Sequence, residues 1–144
     1  MATGAKGGYK TLLQRGDGGS PEAFTTVAEV NDISGPEITK MIEDATSMDS
    51  PDGYVEKISL GLRDPGSVTF QVNLLNENTT HNNLLADLEA DVTRNFRIVA
   101  NGTTKAVTFA GHVEKISAAY PVKGKMVRDC SIAITGRPVK VTFP

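Results

Sequence analysis

Residues 67–75 alternate strictly between apolar and polar side chains, reading SVTFQVNLL. Successive side chains of a β-strand point to opposite faces, so Val68, Phe70 and Val72 share one face while Thr69 and Gln71 occupy the other. This regular alternation predicts a strand with one buried and one solvated face. A strand of that kind needs neighbouring strands and a layer that covers its apolar face, so the segment constrains the whole chain toward a sheet-based fold.

Further strands and a single helix are predicted on both sides of this segment. The strands cover residues 24–33, 37–44, 95–100, 105–119 and 125–135, and an extended segment over residues 139–143 follows Pro138. Ser34-Gly35-Pro36 predicts a hairpin between the first two strands, and Asn101-Gly102 predicts another hairpin turn. The helix begins at Asn78 or Thr79 and runs to about residue 90, with Leu84, Leu85 and Leu88 as its apolar stripe.

These elements predict a mainly β fold, an antiparallel β-barrel or β-sandwich of about seven strands with one flanking α-helix. At 144 residues the chain is predicted to be one domain. Three segments are expected to extend from it: a flexible glycine-rich N-terminal arm over residues 1–20, a long inter-strand loop over residues 45–66, and a C-terminal extension over residues 138–144. The loop contains two clusters of turn-forming residues, at 49–53 and 64–66, and residues 54–60 between them either belong to the loop or form a short strand.

Charge is spread unevenly along the chain, although the total is only −2 from 15 basic and 17 acidic residues. Residues 17–91 carry a net charge of −12, and residues 92–144 carry +7. The two blocks either interleave in a compact domain or mark unlike surfaces that face each other in head-to-tail assembly. The balance does not favour a dedicated nucleic-acid binder, which would be basic.

Catalytic and cofactor chemistry find little support in the composition. His81, His112 and Cys130 are the only residues of their kinds and fall on separate predicted elements, so they do not show metal-ligand spacing. No glycine-rich phosphate loop joins a strand to a helix, and the adjacent carboxylates of Glu43 and Asp44 would point to opposite faces of a strand. We therefore expect neither enzymatic activity nor a cofactor.

The targeting signals of secretion and of membrane insertion are also not evident. The N-terminal segment has basic residues but no apolar core of a signal peptide, and no apolar run approaches the ~20 residues that cross a membrane. A single cysteine fits a reducing compartment such as the cytoplasm.

Four segments carry a resemblance to a known family. They are RGDGGSPEAF at residues 15–24, AEVNDISG at 28–35, DATSMDSPDGY at 44–54 and GLRDPGSVTF at 61–70. Together they resemble the lambda-type tail tube (major tail) proteins of siphophages, and the later elements match that family in order more than in letters.

The resemblance implies a structural virion protein that self-assembles into stacked hexameric rings, which form the tail tube and conduct DNA into the host. It implies partners at the tube ends, namely the tape measure, tail terminator and baseplate or tail tip proteins, and DNA that passes without specific binding. The protein would lie in the virion tail after assembly in the host cytoplasm. The alternatives are an inner tube protein of a contractile tail or a type VI secretion-like system and, from another class, a β-sandwich binding or adhesion module.

Three groups of residues are the candidate functional positions. The exposed Tyr54 beside a rigid turn is expected to contact a neighbouring subunit, and the apolar residues of the arm are expected to dock during assembly. Two carboxylates of the first predicted hairpin either line the lumen, as the resemblance suggests, or are solvated surface groups or salt-bridge partners between rings. The groups are Asp49, Pro51, Asp52, Gly53 and Tyr54 in the loop, Tyr9, Leu12 and Leu13 in the arm, and Glu29 and Glu43 for the lumen.

Overall fold

The computed structural model of the protein describes Thr3, Ala5, residues 7–101 and residues 105–142. Within these residues the chain forms nine β-strands, one α-helix and one short 3-10 turn at Pro51–Gly53. The strands are β1 (Leu12–Gly16), β2 (Phe24–Thr26), β3 (Val30–Ser34), β4 (Thr39–Asp44), β5 (Lys57–Asp64), β6 (Ser67–Asn73), β7 (Arg94–Val99), β8 (Lys105–Ala119) and β9 (Val127–Thr142), and the helix is α1 (Thr79–Glu89).

Seven strands form one antiparallel sheet in the order β2-β1-β7-β8-β9-β6-β3, and β4 and β5 form a separate two-stranded ladder. The long strands β8 and β9 lie at its centre and pair from Lys105↔Thr142 to Ala119↔Val127. The predicted mainly β fold with a seven-stranded antiparallel sheet and one flanking helix is confirmed.

The sheet curls so that its two edges approach each other. Its edge strands β2 and β3 are consecutive in the chain and are joined only by residues 27–29. In a flat sheet these edges would lie about 29 Å apart, whereas the connecting chain spans at most about 14 Å. Hydrogen bonds hold both ends of the connection, from Val27 N to Leu13 O at 2.9 Å and from Asn73 N to Glu29 O at 3.1 Å. The result is an open barrel.

The core fills the concave side of this curled sheet. Phe96 and Phe109 stack there with ring centroids 5.9 Å apart. The alternation of β6 places Val68, Phe70 and Val72 inside, as predicted. The other buried members are Leu13, Val27, Leu84, Val113, Cys130, Ile132 and Ile134.

Helix α1 packs against β8 and contributes Leu84 to the core. Its start is fixed by Asn78, whose side-chain oxygen accepts a hydrogen bond from Thr80 N at 3.0 Å, so the predicted helix start is confirmed. Leu88 lies one turn beyond Leu84 and packs against the same cluster.

The glycine-rich arm is shorter than predicted. Residues 12–16 form β1, which pairs with both β2 and β7, and the Leu13 side chain is 0% exposed. The prediction that Leu13 belongs to a flexible arm is therefore wrong. Flanking glycines suggested flexibility, but an apolar pair inside a polar segment gains enough burial in the sheet to order the strand.

The predicted hairpin between residues 24–33 and 37–44 is wrong. The first of these segments divides into β2 and β3 at Glu29, which has a φ of 53°. β3 pairs with β6, and β4 pairs with β5. The apolar side chains of β3, such as Ile33, pack on the core, whereas all six residues of β4 are exposed, so the chain leaves the barrel after β3.

Residues 45–66 are not a continuous loop, and residues 138–142 are not an extension beyond the fold. The first segment contains β5. In the second, β9 continues through Pro138 to Thr142 and pairs with the start of β8. The register of β9 shifts between Thr135 and Val139, where Gly136 takes a φ of 80°. Pro138 lies within this irregular stretch and has no paired residue in β8, which suits a residue without a backbone N–H. Phe143 and the Asn101-Gly102 turn lie wholly or partly outside the described residues.

Candidate assembly surface

The segment that joins β3 to β6 forms a β-hairpin that contributes no side chain to the core. We call β4, β5 and the residues between them the projecting hairpin. Every residue of β4 and β5 is exposed, although the hairpin includes Met41, Ile42 and Leu60. Two-stranded hairpins are marginally stable in water, so one that carries this much uncovered apolar surface indicates a binding surface.

The two faces of the projecting hairpin differ in chemistry. The register passes from Ile42↔Ser59 to Lys40↔Arg63, so β5 carries two extra residues and the side chains stay in phase across the irregularity. One face therefore carries the apolar residues Met41, Ile58, Leu60 and Leu62 together with Glu43. The opposite face carries the charged residues Lys40, Asp44, Lys57 and Arg63 together with Ile42.

The tip of the projecting hairpin, residues 45–56, is ordered by its own hydrogen bonds. Thr46 Oγ1 accepts a bond from Glu56 N at 2.8 Å, and Ser47 N donates to Ser50 Oγ at 2.9 Å. Asp52 takes a φ of 56°, and the turn closes with Tyr54 N donating to Pro51 O at 3.1 Å. The tip is therefore shaped before it meets any partner, which lowers the entropy cost of binding.

The predicted interface residues all lie at this tip. The side chain of Tyr54 is 74% exposed and that of Met48 is 101% exposed. Asp49, Pro51, Asp52 and Gly53 are exposed beside them. The structure thus brings the five predicted loop residues together, and their contact with a neighbouring subunit stays a prediction. Met48, which the sequence interpretation passed over, is the most exposed apolar residue of the group.

A groove of about 830 Å³ lies at the base of the projecting hairpin, where it meets β9. Its lining combines apolar side chains with two guanidinium groups, Arg63 on β5 and Arg137 on β9. The remaining lining residues are Ile38, Pro65, Gly136 and Pro138. No described carboxylate lines this groove.

The other predicted site residues lie apart from this surface. Tyr9 is exposed, lies just before β1 and borders a cleft beside β3, and Leu12 is partly exposed at the start of β1. Glu29 is exposed and its Oε1 accepts a bond from Asn73 Nδ2 at 3.0 Å. Glu43 is exposed on the apolar face of the projecting hairpin. The lumen role of both carboxylates stays a prediction.

A buried ion cluster was missed by the sequence interpretation. Asp87 on α1, whose side chain is 3% exposed, accepts bonds from Arg15 Nε at 2.5 Å and Nη2 at 2.8 Å. It also accepts a bond from Arg94 Nε at 3.2 Å. The hydrogen bond from Arg15 to Asp87 raises the pKa of the Arg15 guanidinium. The cluster ties the helix to β1 and β7, and the only sequence signal for it was an acid on the apolar side of the predicted helix.

His81 has a structural role at the junction of the helix and the curled sheet. Its side chain is buried, and Nε2 lies 2.7 Å from Ala28 O in the β2–β3 connection. Ala28 N donates in turn to Thr80 Oγ1 at 3.2 Å. The start of α1 therefore holds the turn at which the two sheet edges meet.

One thiol, and no cluster of metal ligands, occurs among the described residues. Cys130 is buried, and burial raises the pKa of its thiol to about 11, so the thiolate is disfavoured. Among residues 7–101 and 105–142, no group of three His, Cys, Asp or Glu side chains is placed to hold a metal ion. In the same part of the chain, the helix is too short and too polar to cross a membrane.

Comparison with known proteins gives a family and a set of similar structures. Residues 9–141 match the family described as lambda phage tail tube protein. No curated protein matches the chain in sequence.

Three solved assemblies are similar in structure. The tail of an empty gene transfer agent particle, refined with C6 symmetry, has a TM-score of 0.72 at 17% identity, covering 96% of this chain and 100% of that one. The sheath-tube complex of an extracellular contractile injection system has a TM-score of 0.67 at 10% identity, with coverages of 93% and 89%. The SPP1 tail tube has a TM-score of 0.64 at 12% identity, with coverages of 92% and 76%.

Proposed function

This chain belongs to the lambda phage tail tube protein family, and we propose that its copies close into hexameric rings that stack into a hollow tail tube. The tube is the conduit through which DNA passes into the host. The role is structural and non-catalytic, and the protein resides in the virion tail after assembly in the host cytoplasm. The sixfold symmetry of the similar gene transfer agent tail supports the hexameric ring.

The observation that carries this proposal is the projecting hairpin. It exposes an apolar face formed by Met41, Ile58, Leu60 and Leu62, and no residue of β4 or β5 is buried within the chain. Burying apolar surface stabilises an association by roughly 25 cal/mol for each Å² removed from water. Tail tube subunits meet as identical copies, so the projecting hairpin of each copy is covered by the next copy in the assembly.

The N-terminal residues supply a second assembly element in this proposal. Tyr9 and Leu12 remain accessible, and Tyr9 borders a cleft beside the edge strand β3. Among the described strands β3 pairs with β6 alone, so its other edge is open to a neighbouring backbone. Leu13 is excluded from this role because it is already buried in the core of its own subunit.

We also propose that Glu29 and Glu43 give the bore a negative surface, so that DNA slides without tight phosphate contacts. Replacing both by Lys should slow DNA ejection and make it salt-dependent, because each new cation adds a phosphate contact. Tubes should still form. Loss of tubes in the double variant would place the two carboxylates at a subunit interface instead. Of the two carboxylates, Glu43 would be the one at the interface, because it shares the apolar face of the projecting hairpin that the next copy covers.

Partners of other kinds are proposed for the two ends of the tube. A tube of defined length needs a length-determining tape measure, a terminator and a baseplate or tail tip. Chains of similar fold occur in the sheath/tube terminator of an extracellular contractile injection system, with a TM-score of 0.72, and in the baseplate of the anti-feeding prophage, with a TM-score of 0.71.

An inner tube of a contractile tail is the second candidate. The similarity to the sheath-tube complex favours it, since that tube carries a sheath. The two candidates differ in whether a sheath subunit binds the outside of the tube. Co-sedimentation of purified tubes with the sheath protein of a contractile tail separates them.

Assembly of the purified protein tests the proposed function directly. Concentrated protein should form rings or tubes in negative-stain images. Tyr54→Ala should leave a folded monomer with an unchanged thermal midpoint but lower the yield of tubes, because an exposed aromatic at a rigid turn is a strong interface contact. Tyr54→Phe keeps the ring and serves as the matched control. Normal tubes from Tyr54→Ala would show that Tyr54 at the tip is not an assembly contact. Wild-type protein that stays monomeric at all concentrations would contradict the proposed function.

A further inference from the structure

The groove at the base of the projecting hairpin combines an apolar floor with excess positive charge. Ile38, Pro65 and Pro138 supply the apolar part, and Arg63 and Arg137 supply the charge. Both guanidinium groups belong to exposed residues. A surface of this composition fits a partner segment that carries apolar side chains and carboxylates together.

The charge at this groove is uncompensated within the described chain. Lys40 lies directly across the ladder from Arg63, so two cations face each other on the charged face of the projecting hairpin. Like charges directly opposite on a β-ladder are destabilising. Lys40, Arg63 and Arg137 form no ion pair with a described residue, because the two ion pairs found there both use Asp87. Carboxylates from outside the subunit would relieve this repulsion.

The tip of the projecting hairpin has the complementary composition. Residues 45–56 contain Asp49, Asp52 and Glu56 but neither Lys nor Arg. The same segment exposes three apolar side chains, those of Met48, Tyr54 and Val55. The hydrogen bonds within the tip hold this arrangement before binding.

The tip cannot reach the groove of its own subunit. The ladder runs from Thr39↔Asp64 near the groove to Asp44↔Lys57 near the tip. Five residue steps of a strand separate these pairs by about 17 Å. The two complementary surfaces of one chain thus lie at opposite ends of the same ladder, so each can meet only a surface of another molecule.

We propose that the hairpin tip of one copy docks into the groove of a second copy, with its carboxylates against Lys40, Arg63 and Arg137 and with Met48 and Tyr54 on the apolar floor. The contact rests on the assembly proposed above and assigns two surfaces to it. It is heterologous, since the tip of each copy meets the groove of the next, and such contacts repeat around a ring or along a stack. The apolar floor favours this occupant over DNA, whose phosphates would leave Ile38, Pro65 and Pro138 uncovered.

Charge reversal on both surfaces tests the contact. The groove variant is Arg63→Glu with Arg137→Glu, and the tip variant is Asp49→Arg with Glu56→Arg. Asp52 is left unchanged because its φ of 56° disfavours most other residues. Lys123→Glu with Lys125→Glu, in the exposed β8–β9 turn, applies the charge change of the groove variant elsewhere. The fraction of protein that sediments as tubes is measured for each, with the monomer thermal midpoint as the control for folding.

The groove and tip variants should each reduce the sedimenting fraction by about tenfold or more, because like charges then meet across the contact. The variant that carries all four substitutions should recover most of the tubes, as should a mixture of the groove and tip variants, in which opposite charges again face each other. The control should assemble as the wild type does.

Several results would overturn the contact. Normal tubes from the groove variant or from the tip variant would show that the two surfaces do not meet. The same conclusion would follow if both variants lose assembly and the protein with all four substitutions does not recover it. Normal tubes from the groove variant with altered DNA passage would assign the groove to DNA instead. Wild-type protein that never forms rings or tubes would contradict both the proposed function and this inference. If the wild type forms tubes but the four substitutions do not restore assembly, only the contact is contradicted and the tube function is retained.

Discussion

The curled sheet and the projecting hairpin are both antiparallel β-structure, yet they are stabilised in different ways. The sheet encloses a core in which Phe96 and Ile132 are fully buried. The projecting hairpin has a well-paired ladder, but Ile58 and Leu60 remain about half exposed. Hydrogen-bonded pairing alone contributes little net stability, whereas burial of apolar area is the dominant favourable term. The difference shows that one region is complete as a monomer and the other is completed by assembly.

The strongest contrast between the regions is expected from matched truncations of apolar side chains. Phe96→Ala should lower the free energy of unfolding of the monomer by about 3–5 kcal/mol, since it removes a ring that stacks on Phe109 in the core. Leu60→Ala should change it by less than about 0.5 kcal/mol but reduce tube formation. Denaturant unfolding of the monomer and sedimentation of tubes measure the two effects. Equal losses of monomer stability would show that the projecting hairpin is packed within its own subunit.

The boundary of the sheet can be located by two N-terminal truncations. Removal of residues 1–10 should leave the thermal midpoint nearly unchanged, because Tyr9 and Lys10 are exposed. Removal of residues 1–13 should cost about 2–4 kcal/mol, since it deletes the buried Leu13 and its pairing with Ile98. Calorimetry of both truncated proteins checks this difference. Similar thermal midpoints for the two truncated proteins would show that Leu13 belongs to the flexible arm and not to the folded sheet.

Loss of the buried ion cluster should weaken the sheet and leave the projecting hairpin unaffected. Asp87→Asn removes the charge that three guanidinium nitrogens of Arg15 and Arg94 contact. We expect a loss of about 2–3 kcal/mol, below the cost at a fully buried pair because both arginines retain some contact with water. Glu89→Gln, exposed on the same helix, is the control and should be near neutral. A near-neutral Asp87→Asn would show that the cluster does not hold α1 to the sheet.

The effect expected from the buried thiol is absent at neutral pH and develops only at alkaline pH. The pKa of Cys130 is raised to about 11 by burial, above its value in the unfolded chain. The unfolded state therefore releases this proton first, so stability is full below about pH 9 and declines as pH rises toward 11. Comparison of the wild type with Cys130→Ala between pH 8 and pH 11 isolates the contribution of this thiol to the pH dependence of stability. An identical pH dependence in both proteins would contradict it, and rapid thiol labelling at pH 8 would show that Cys130 is accessible.

The sequence by itself determined the local elements and the family. The alternation over residues 67–75 placed β6, the capping side chain of Asn78 placed the start of α1, and the segments around residues 44–54 and 61–70 carried the resemblance that the family match confirms. These features depend on neighbours within a few residues, so periodicity, capping and motif letters are sufficient to read them.

Only the tertiary structure decided which strands pair and which faces are covered. Alternation in residues 24–33 and 37–44 is compatible with a hairpin, but β3 joins β6 and β4 joins β5, because only β3 finds a core to pack against. The ion pair of Arg15 and Asp87 joins residues 72 apart in the chain, and the groove of Arg63 and Arg137 joins two distant strands. Contacts of this separation arise from the curl of the sheet, which depends on the packing of all its strands together and leaves no local signal in the sequence.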